Sequence, residues 1–83
     1  MTLEERKVIY RARRGLMELD IYFHPYASNY YLMADDKEKK LFAELVECED
    51  PDLLDWFMEV SEPNTVELKR LIQKMKGYIH ARI

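Results

Sequence analysis

The sequence has few of the residues that break or cross-link a chain, with two glycines, three prolines and one cysteine among 83 residues. So little glycine and proline argues against a β fold with many tight turns. The lone Cys48 cannot form an internal disulfide or complete the ligand set of a zinc finger. A chain without disulfides suits a reducing compartment, and we therefore expect a cytoplasmic protein.

Long apolar runs are also missing. The first residues, MTLEERKVIYRARR, are charged and amphipathic, and they lack the apolar core of a secretory signal. No apolar stretch approaches the roughly 20 residues that a membrane-crossing helix needs. We therefore expect no membrane span.

The net charge of −3 is unevenly distributed along the chain. Residues 44–62 contain eight acidic and no basic side chains, whereas residues 63–83 contain five basic and one acidic. Residues 1–14 carry five basic and two acidic side chains. Because the domain as a whole is acidic, nonspecific attraction to phosphates is weak, and we do not expect nucleic-acid binding.

Apolar residues at intervals of three and four predict helices along almost the whole chain. Thr2 and Glu5 have the spacing of a capping box, which predicts a first helix from Leu3 to about Arg13. Gly15 then interrupts the helical pattern. The residues of this first helix that are available to face a core are Leu3, Val8, Ile9 and Ala12.

A second helix is predicted from the apolar residues Leu16, Leu19, Tyr22, Phe23 and Tyr26. Pro25 falls inside this pattern. A proline removes one backbone donor and crowds the preceding turn, so we expect a kink or a short break near His24. Tyr30 and Tyr31 follow, and they are compatible both with packing inside the fold and with an exposed binding surface.

Two more helices are predicted from their starting residues. Asp35 and Glu38 form a cap pair before a third helix, whose buried face should contain Leu41, Phe42 and Leu45. Asp50 as the N-cap, followed by Pro51, predicts a short fourth helix. Its sequence, DLLDWFMEV, is strongly apolar, and we expect Trp56 to lie in the core.

A fifth helix is predicted after Asn64 or Thr65. Its apolar stripe consists of Leu68, Leu71, Ile72, Met75 and Ile79, and Gly77 is expected to loosen its end. Together these patterns predict an all-α fold, a small five-helix bundle in which residues 1–83 form a single domain.

Patterns typical of catalysis are not found. His24 and His80 are far apart and outside any ligand motif, and Ser28 and Ser61 have no nucleophile-elbow context. The acidic residues between 44 and 62 lack the glycine and alternating oxygen ligands of a calcium loop. We therefore predict that the chain is not an enzyme and has no catalytic, cofactor-binding or metal-binding residues of its own.

The stretch RARRGLMELD, residues 11–20, contains the most unusual local pattern. Gly15 would let the backbone of a partner approach closely, and Glu18 lies one helical turn beyond Arg14, so the three residues can share one face. From the residues alone, a second interpretation is equally good. Gly15 could end the first helix as its C-cap, with Arg13 and Arg14 interacting with the helix dipole.

Arg14-Gly15-Leu16-Met17-Glu18 resembles the RGxxE motif of a family of small flavinylation factors. This family contains bacterial SdhE and the mitochondrial flavinator of succinate dehydrogenase. The similarity extends through RRGLMELD at 13–20 and ECEDPDLLDWFME at 47–59, and the spacing fits from about Glu4 to Ile79. RGxxE alone is a weak signal, but together with DPDLLDW in a helical chain of this length it is specific.

The resemblance implies an FAD assembly factor that binds the flavoprotein subunit of succinate dehydrogenase, fumarate reductase or both. Such a factor promotes covalent attachment of FAD to a histidine of this client; it has no cofactor of its own and acts on FAD bound to the client. Carried over, Arg14, Gly15 and Glu18 lie at the client interface, and Arg11 and Arg13 are steering charges. A helper that works by positioning needs no nucleophile, and we expect a monomer.

Other classes of function stay open at this point. Some members of the family have been assigned an antitoxin role against a membrane-associated toxin, and a generic helical adaptor would also fit the residues. A carrier of free FAD is a further alternative, although the chain contains no dinucleotide-binding fingerprint.

Overall fold

The computed structural model describes the backbone of residues 1–82 and the side chains as far as Ile79. Within this range the chain forms five α helices and no strand, so the predicted all-α, five-helix fold is confirmed. The helices are α1 (Leu3–Arg11), α2 (Met17–Asn29), α3 (Asp36–Val46), α4 (Asp50–Phe57) and α5 (Val66–Arg82). A short 3₁₀ helix, Tyr31–Met33, follows α2. None of the helices in residues 1–82 has both the length and the apolar character that spanning a bilayer requires.

The core lies between α2, α3, α4 and α5. Leu19 and Phe23 of α2 are completely buried. The ring centroids of Tyr26 and Phe42 lie 4.6 Å apart, and those of Phe23 and Phe57 lie 5.4 Å apart. Such aromatic pairs contribute large buried areas to the stability of a small fold. The predicted stripe of the fifth helix completes the core through Leu68, Leu71, Ile72 and Met75.

α1 packs at the edge of this core, and none of its own residues is fully buried. The predicted capping box is present. The Glu5 amide donates to Thr2 Oγ1 at 3.1 Å, and the Thr2 amide donates to Glu5 Oε1 at 2.8 Å. Lys39 of α3 donates from Nζ to the second Glu5 oxygen at 2.9 Å. This pair therefore joins the start of α1 to α3.

Two local predictions, a break at Pro25 and a core position for Leu3, are wrong. Pro25 does not interrupt α2, which runs unbroken from Met17 to Asn29. A proline removes only one hydrogen bond, and buried side chains on both sides of Pro25 hold the helix in place. Leu3 is exposed rather than directed at the core. The residues of α1 that pack against the core, such as Ile9, lie later in the helix.

α3 and α5 begin after the cap residues predicted for them, whereas the start of α4 is shifted by one residue. Asp35 Oδ1 accepts from the Glu38 amide at 2.8 Å, and Thr65 Oγ1 accepts from the Leu68 amide at 3.2 Å. The fourth helix, by contrast, begins at Asp50 itself rather than after it. Its carboxylate accepts from an arginine elsewhere in the chain and does not cap its own helix.

The tyrosines after α2 pack within the bundle. Tyr31 is buried, and Tyr30 stacks on Tyr78 of α5 with ring centroids 3.6 Å apart and planes 6° apart. Of the two interpretations left open for this pair, packing is therefore confirmed. α5 continues through Gly77 to Arg82. Trp56 is half-buried and packs against the core.

Candidate binding surface at the Gly15 turn

Residues 12–16 connect α1 to α2 and are here called the Gly15 turn. The backbone of Gly15 has φ = +79°, a left-handed conformation that glycine adopts at no steric cost. α1 ends at Arg11 with Ala12 in the C-cap position, so Gly15 lies within the connection. The interpretation of Gly15 as the C-cap of the first helix is therefore wrong, although Arg14 does bond to the last carbonyl of α1 as that interpretation expected. A Cβ added to Gly15 would meet no atom within 4 Å, so the space in front of it is open.

The guanidinium of Arg14 points into the molecule. Its Nε donates to Asp50 Oδ1 at 2.8 Å, and Nη2 donates to the Cys48 carbonyl at 2.7 Å. Nη1 donates to the carbonyls of Val46 at 2.6 Å and Arg11 at 3.1 Å. With its side chain only 13% exposed, Arg14 joins the Gly15 turn to the connection between α3 and α4. The RGxxE and DPDLLDW segments are thus in direct contact.

Asp20 holds the turn from the side of α2. Its carboxylate accepts from the Arg14 backbone amide at 3.0 Å, across six residues. As an acidic residue near the start of α2, Asp20 also interacts favourably with the helix dipole. Sequence reasoning assigned no role to Asp20, because its partner amide lies six residues earlier, outside the short spacings of caps and turns.

The other residues predicted for the site are exposed. Gly15, Glu18, Arg11 and Arg13 all lie at the surface. Arg11 forms an ion pair with Glu47 at the end of α3. Within the described side chains, Glu18 and Arg13 take part in no ion pair. The structure therefore presents Gly15 and Glu18 to solvent and turns the guanidinium of Arg14, the residue directly before Gly15, inward.

An open, mainly apolar depression lies beside Gly15 on α2. It is lined by Gly15, Met17, Asp20, Ile21, His24 and Pro25. Met17 is 78% exposed and Ile21 is 46% exposed. Neighbouring exposed apolar side chains are typical of protein-binding surfaces, whereas small molecules prefer enclosed clefts. The shape of this surface thus favours a protein partner.

Cys48 lies behind this surface and is half-buried. Burial raises the pKa of its thiol, and the Asp52 carboxylate raises this pKa further. The thiol is therefore kept in its unreactive, protonated form. Among the described side chains, His, Cys, Asp and Glu do not group in threes as metal ligands.

These features define a class, a small helical protein with an exposed glycine turn that is fixed by a partly buried ion pair. The chain belongs to the family described as flavinator of succinate dehydrogenase, whose model matches residues 6–79. The family predicted from the RGxxE and DPDLLDW segments is therefore confirmed.

Individual relatives are similar over almost the full chain. The chain is 75% identical over 80 residues to the FAD assembly factor SdhE of Acinetobacter baylyi, which covers 96% of this chain and 94% of that protein. It is 46% identical over 81 residues to the FAD assembly factor SdhE of Psychrobacter arcticus, covering 98% and 87%. For the protein of the same name from Shewanella oneidensis, identity is 41% over 71 residues, covering 86% and 87%.

Proposed function

We propose that this chain is an FAD assembly factor. In this proposal it binds the flavoprotein subunit of succinate dehydrogenase, fumarate reductase or both, and promotes covalent attachment of FAD to a histidine of that client. Membership of the flavinator family and the names of its relatives support this function. The structural observation that carries it is the Gly15 turn, which is exposed and leaves open space where a side chain would stand.

The client is proposed to dock on Gly15 and on the adjacent turns of α2. A backbone segment of the client can approach Gly15 more closely than a residue with a side chain. Met17 and Ile21 would lose exposed apolar area on docking, which favours binding. Glu18 would accept charge-assisted hydrogen bonds from the client, which are stronger than bonds between neutral groups.

The chain is proposed to act by positioning, as a cytoplasmic monomer rather than as an enzyme. Its residues bind the client and hold it in a productive conformation, while the reacting groups belong to the client. Correct positioning alone can lower a reaction barrier substantially. The depression beside Gly15 is open and mainly apolar, which suits a protein surface better than a charged dinucleotide. This supports a role in which FAD stays on the client.

The function is tested by measuring how much covalent flavin the client subunit carries in cells that lack this gene. The flavin on the client subunit is read as fluorescence of its band in a denaturing gel, after complementation with wild type, Glu18→Ala or Glu67→Ala. Glu67 is the matched control because each glutamate is exposed and is the second residue of its helix. Each substitution should cost about the same helix-dipole stabilisation, roughly 0.3–1 kcal/mol.

We expect wild type and Glu67→Ala to restore the flavin band and Glu18→Ala to restore much less of it. Circular dichroism should show that both variants are folded. An equally strong band without the gene would contradict the proposed function, and equal bands from the two variants would remove Glu18 from the interface.

A further inference from the structure

Arg14 belongs to the RGxxE motif, yet its guanidinium is engaged inside the molecule. It donates to the carbonyl of Arg11, the last residue of α1, and to the carbonyl of Val46, the last residue of α3. It also donates to the Cys48 carbonyl and to the carboxylate of Asp50, the first residue of α4. One side chain therefore connects the ends of three helices.

The chemistry of this junction requires arginine. Carbonyls at helix C-termini carry partial negative charge and favour a cation. A guanidinium presents five N–H donors in a fixed planar fork, and four hydrogen bonds are formed here. A lysine carries the same charge but only a compact ammonium group, so it cannot reach these separate acceptors together.

Direct contact with a client would disturb this junction. The guanidinium would have to leave carbonyls at two helix ends and the partly buried Asp50. Acceptors that lose a partner without regaining water are destabilising. The neighbouring Gly15 and Glu18 already face solvent, so the client can reach the turn without Arg14 moving.

We propose that Arg14 is a positioning residue, which holds the Gly15 turn against the start of α4 and supports client binding without touching the client. This proposal rests on the function proposed above. Asp50 is its partner in this role. The part of the RGxxE motif that meets the client is then Gly15 and Glu18, presented by a turn whose shape depends on the α3–α4 connection.

A double-mutant cycle tests the proposal. The affinity of the purified factor for the purified flavoprotein subunit of succinate dehydrogenase is measured for wild type, Arg14→Lys, Asp50→Asn and the double variant. Because both residues act through one junction, each single change should weaken binding roughly tenfold and the double change little more than the worse single one. Arg70→Lys, at an exposed position of α5, is the control and should bind as wild type does.

Hydrogen exchange of the free factor gives a readout that a client contact would not change. The amides of Glu47 and Cys48 bond within the last turn of α3, and the Arg14 amide bonds to Asp20. These amides should exchange faster in Arg14→Lys and in Asp50→Asn than in wild type or Arg70→Lys. Asp50→Asn leaves Arg14 in place, so this variant still tests the junction if Arg14→Lys does not fold.

Two results would overturn the proposal. One is wild-type affinity of Asp50→Asn together with a large loss in Arg14→Lys, which would mean that Arg14 touches the client itself. The other is unchanged exchange of the three amides in both variants. The affinity of the wild-type factor is measured in a sample of its own. If the wild-type factor does not bind the subunit, that result contradicts the proposed function rather than the role of Arg14.

Discussion

Gly15 is suited to its position for two reasons that experiment can separate. Its φ of +79° is strained for any residue with a side chain, and the open space in front of it would admit a partner. The strain concerns the free protein, whereas the open space concerns the complex. The adjacent Arg14 has the opposite orientation and bonds inside the fold.

Comparison of Gly15→Ala with Gly15→Arg separates these reasons. Both variants should lose about 1–2 kcal/mol of unfolding free energy, because both place a Cβ at positive φ and neither Cβ meets a neighbour. Urea denaturation measures this loss. Gly15→Arg should bind the client far more weakly than Gly15→Ala, since its side chain occupies the docking space.

A different pattern would contradict this explanation. If folded Gly15→Ala loses client binding as completely as Gly15→Arg, the shape of the turn rather than the room in front of it determines binding.

Among the helices, α1 depends most on polar contacts, because none of its own residues is fully buried. The pair of Glu5 and Lys39 fixes its first turns to α3. The hydrogen bond from Lys39 is the main cause that lowers the pKa of Glu5 to about 2, and the bond from the Thr2 amide adds to it. α1 in turn leads directly into the Gly15 turn.

This pair should make stability depend on pH in acid. The Glu5 pKa is about 4.5 in the unfolded chain and about 2 in the folded protein, so the ionised carboxylate favours folding. Its contribution is fully present above pH 4.5 and is lost as the pH falls towards 2. Glu5→Gln should therefore lower Tm near pH 7, and its difference from wild type should shrink between these pH values.

Thermal unfolding of both proteins at several pH values measures this difference. Glu4→Gln is the control, because Glu4 is exposed on the same turn and, among the described side chains, forms a single long ion pair, with Lys7 at 4.0 Å. A Tm difference for Glu5→Gln that is constant from pH 7 to pH 2 would contradict the assigned role of the pair.

Local sequence patterns predicted those elements whose partners lie within one helical turn. The Thr2 and Glu5 capping box and the Asp35 cap were found where the spacing placed them. The break expected at Pro25 is not found, because its effect depends on tertiary packing around α2. Glu38 was expected only as a cap partner, yet its carboxylate also accepts from the Tyr26 hydroxyl and from a lysine of α5.

The candidate site shows the same limit more sharply. The motif drew attention to the Gly15 turn, but the orientation of Arg14 could not be predicted. Its partners Val46 and Asp50 lie 32 and 36 residues away, and helical periodicity contains no information about such contacts. The motif therefore singled out a candidate turn, and the fold was needed to tell which of its residues point inward and which face solvent.

For the molecule as a whole, the uneven charge bears on association with a client. Eight acidic residues and no basic ones lie between 44 and 62, and the Gly15 turn contacts this segment through Arg14. Arg11 is paired with Glu47, whereas Arg13 forms no ion pair with the described side chains. Arg13 is therefore the better candidate for a steering charge of the two that the sequence suggested.

Association kinetics test this assignment. Arg13→Ala should slow association with the client a few-fold and change dissociation little, because exposed charges at the edge of an interface act mainly on the encounter. Arg11→Ala should have a smaller effect. Both effects should fade in high salt, which screens exposed charges. If Arg13→Ala changes only the dissociation rate, a steering role for Arg13 is contradicted.

The open surface at Gly15 is proposed as the place where the client is bound and prepared for flavinylation. The most direct test combines purified client subunit, FAD and the factor, and measures covalent flavin on the client over time. The comparison is between Gly15→Arg and Gly77→Arg, because both glycines are exposed and both have free space for a side chain. We predict that Gly77→Arg supports flavinylation at close to the wild-type rate and that folded Gly15→Arg leaves it near the rate without factor. Equal rates with the two variants would contradict the claim.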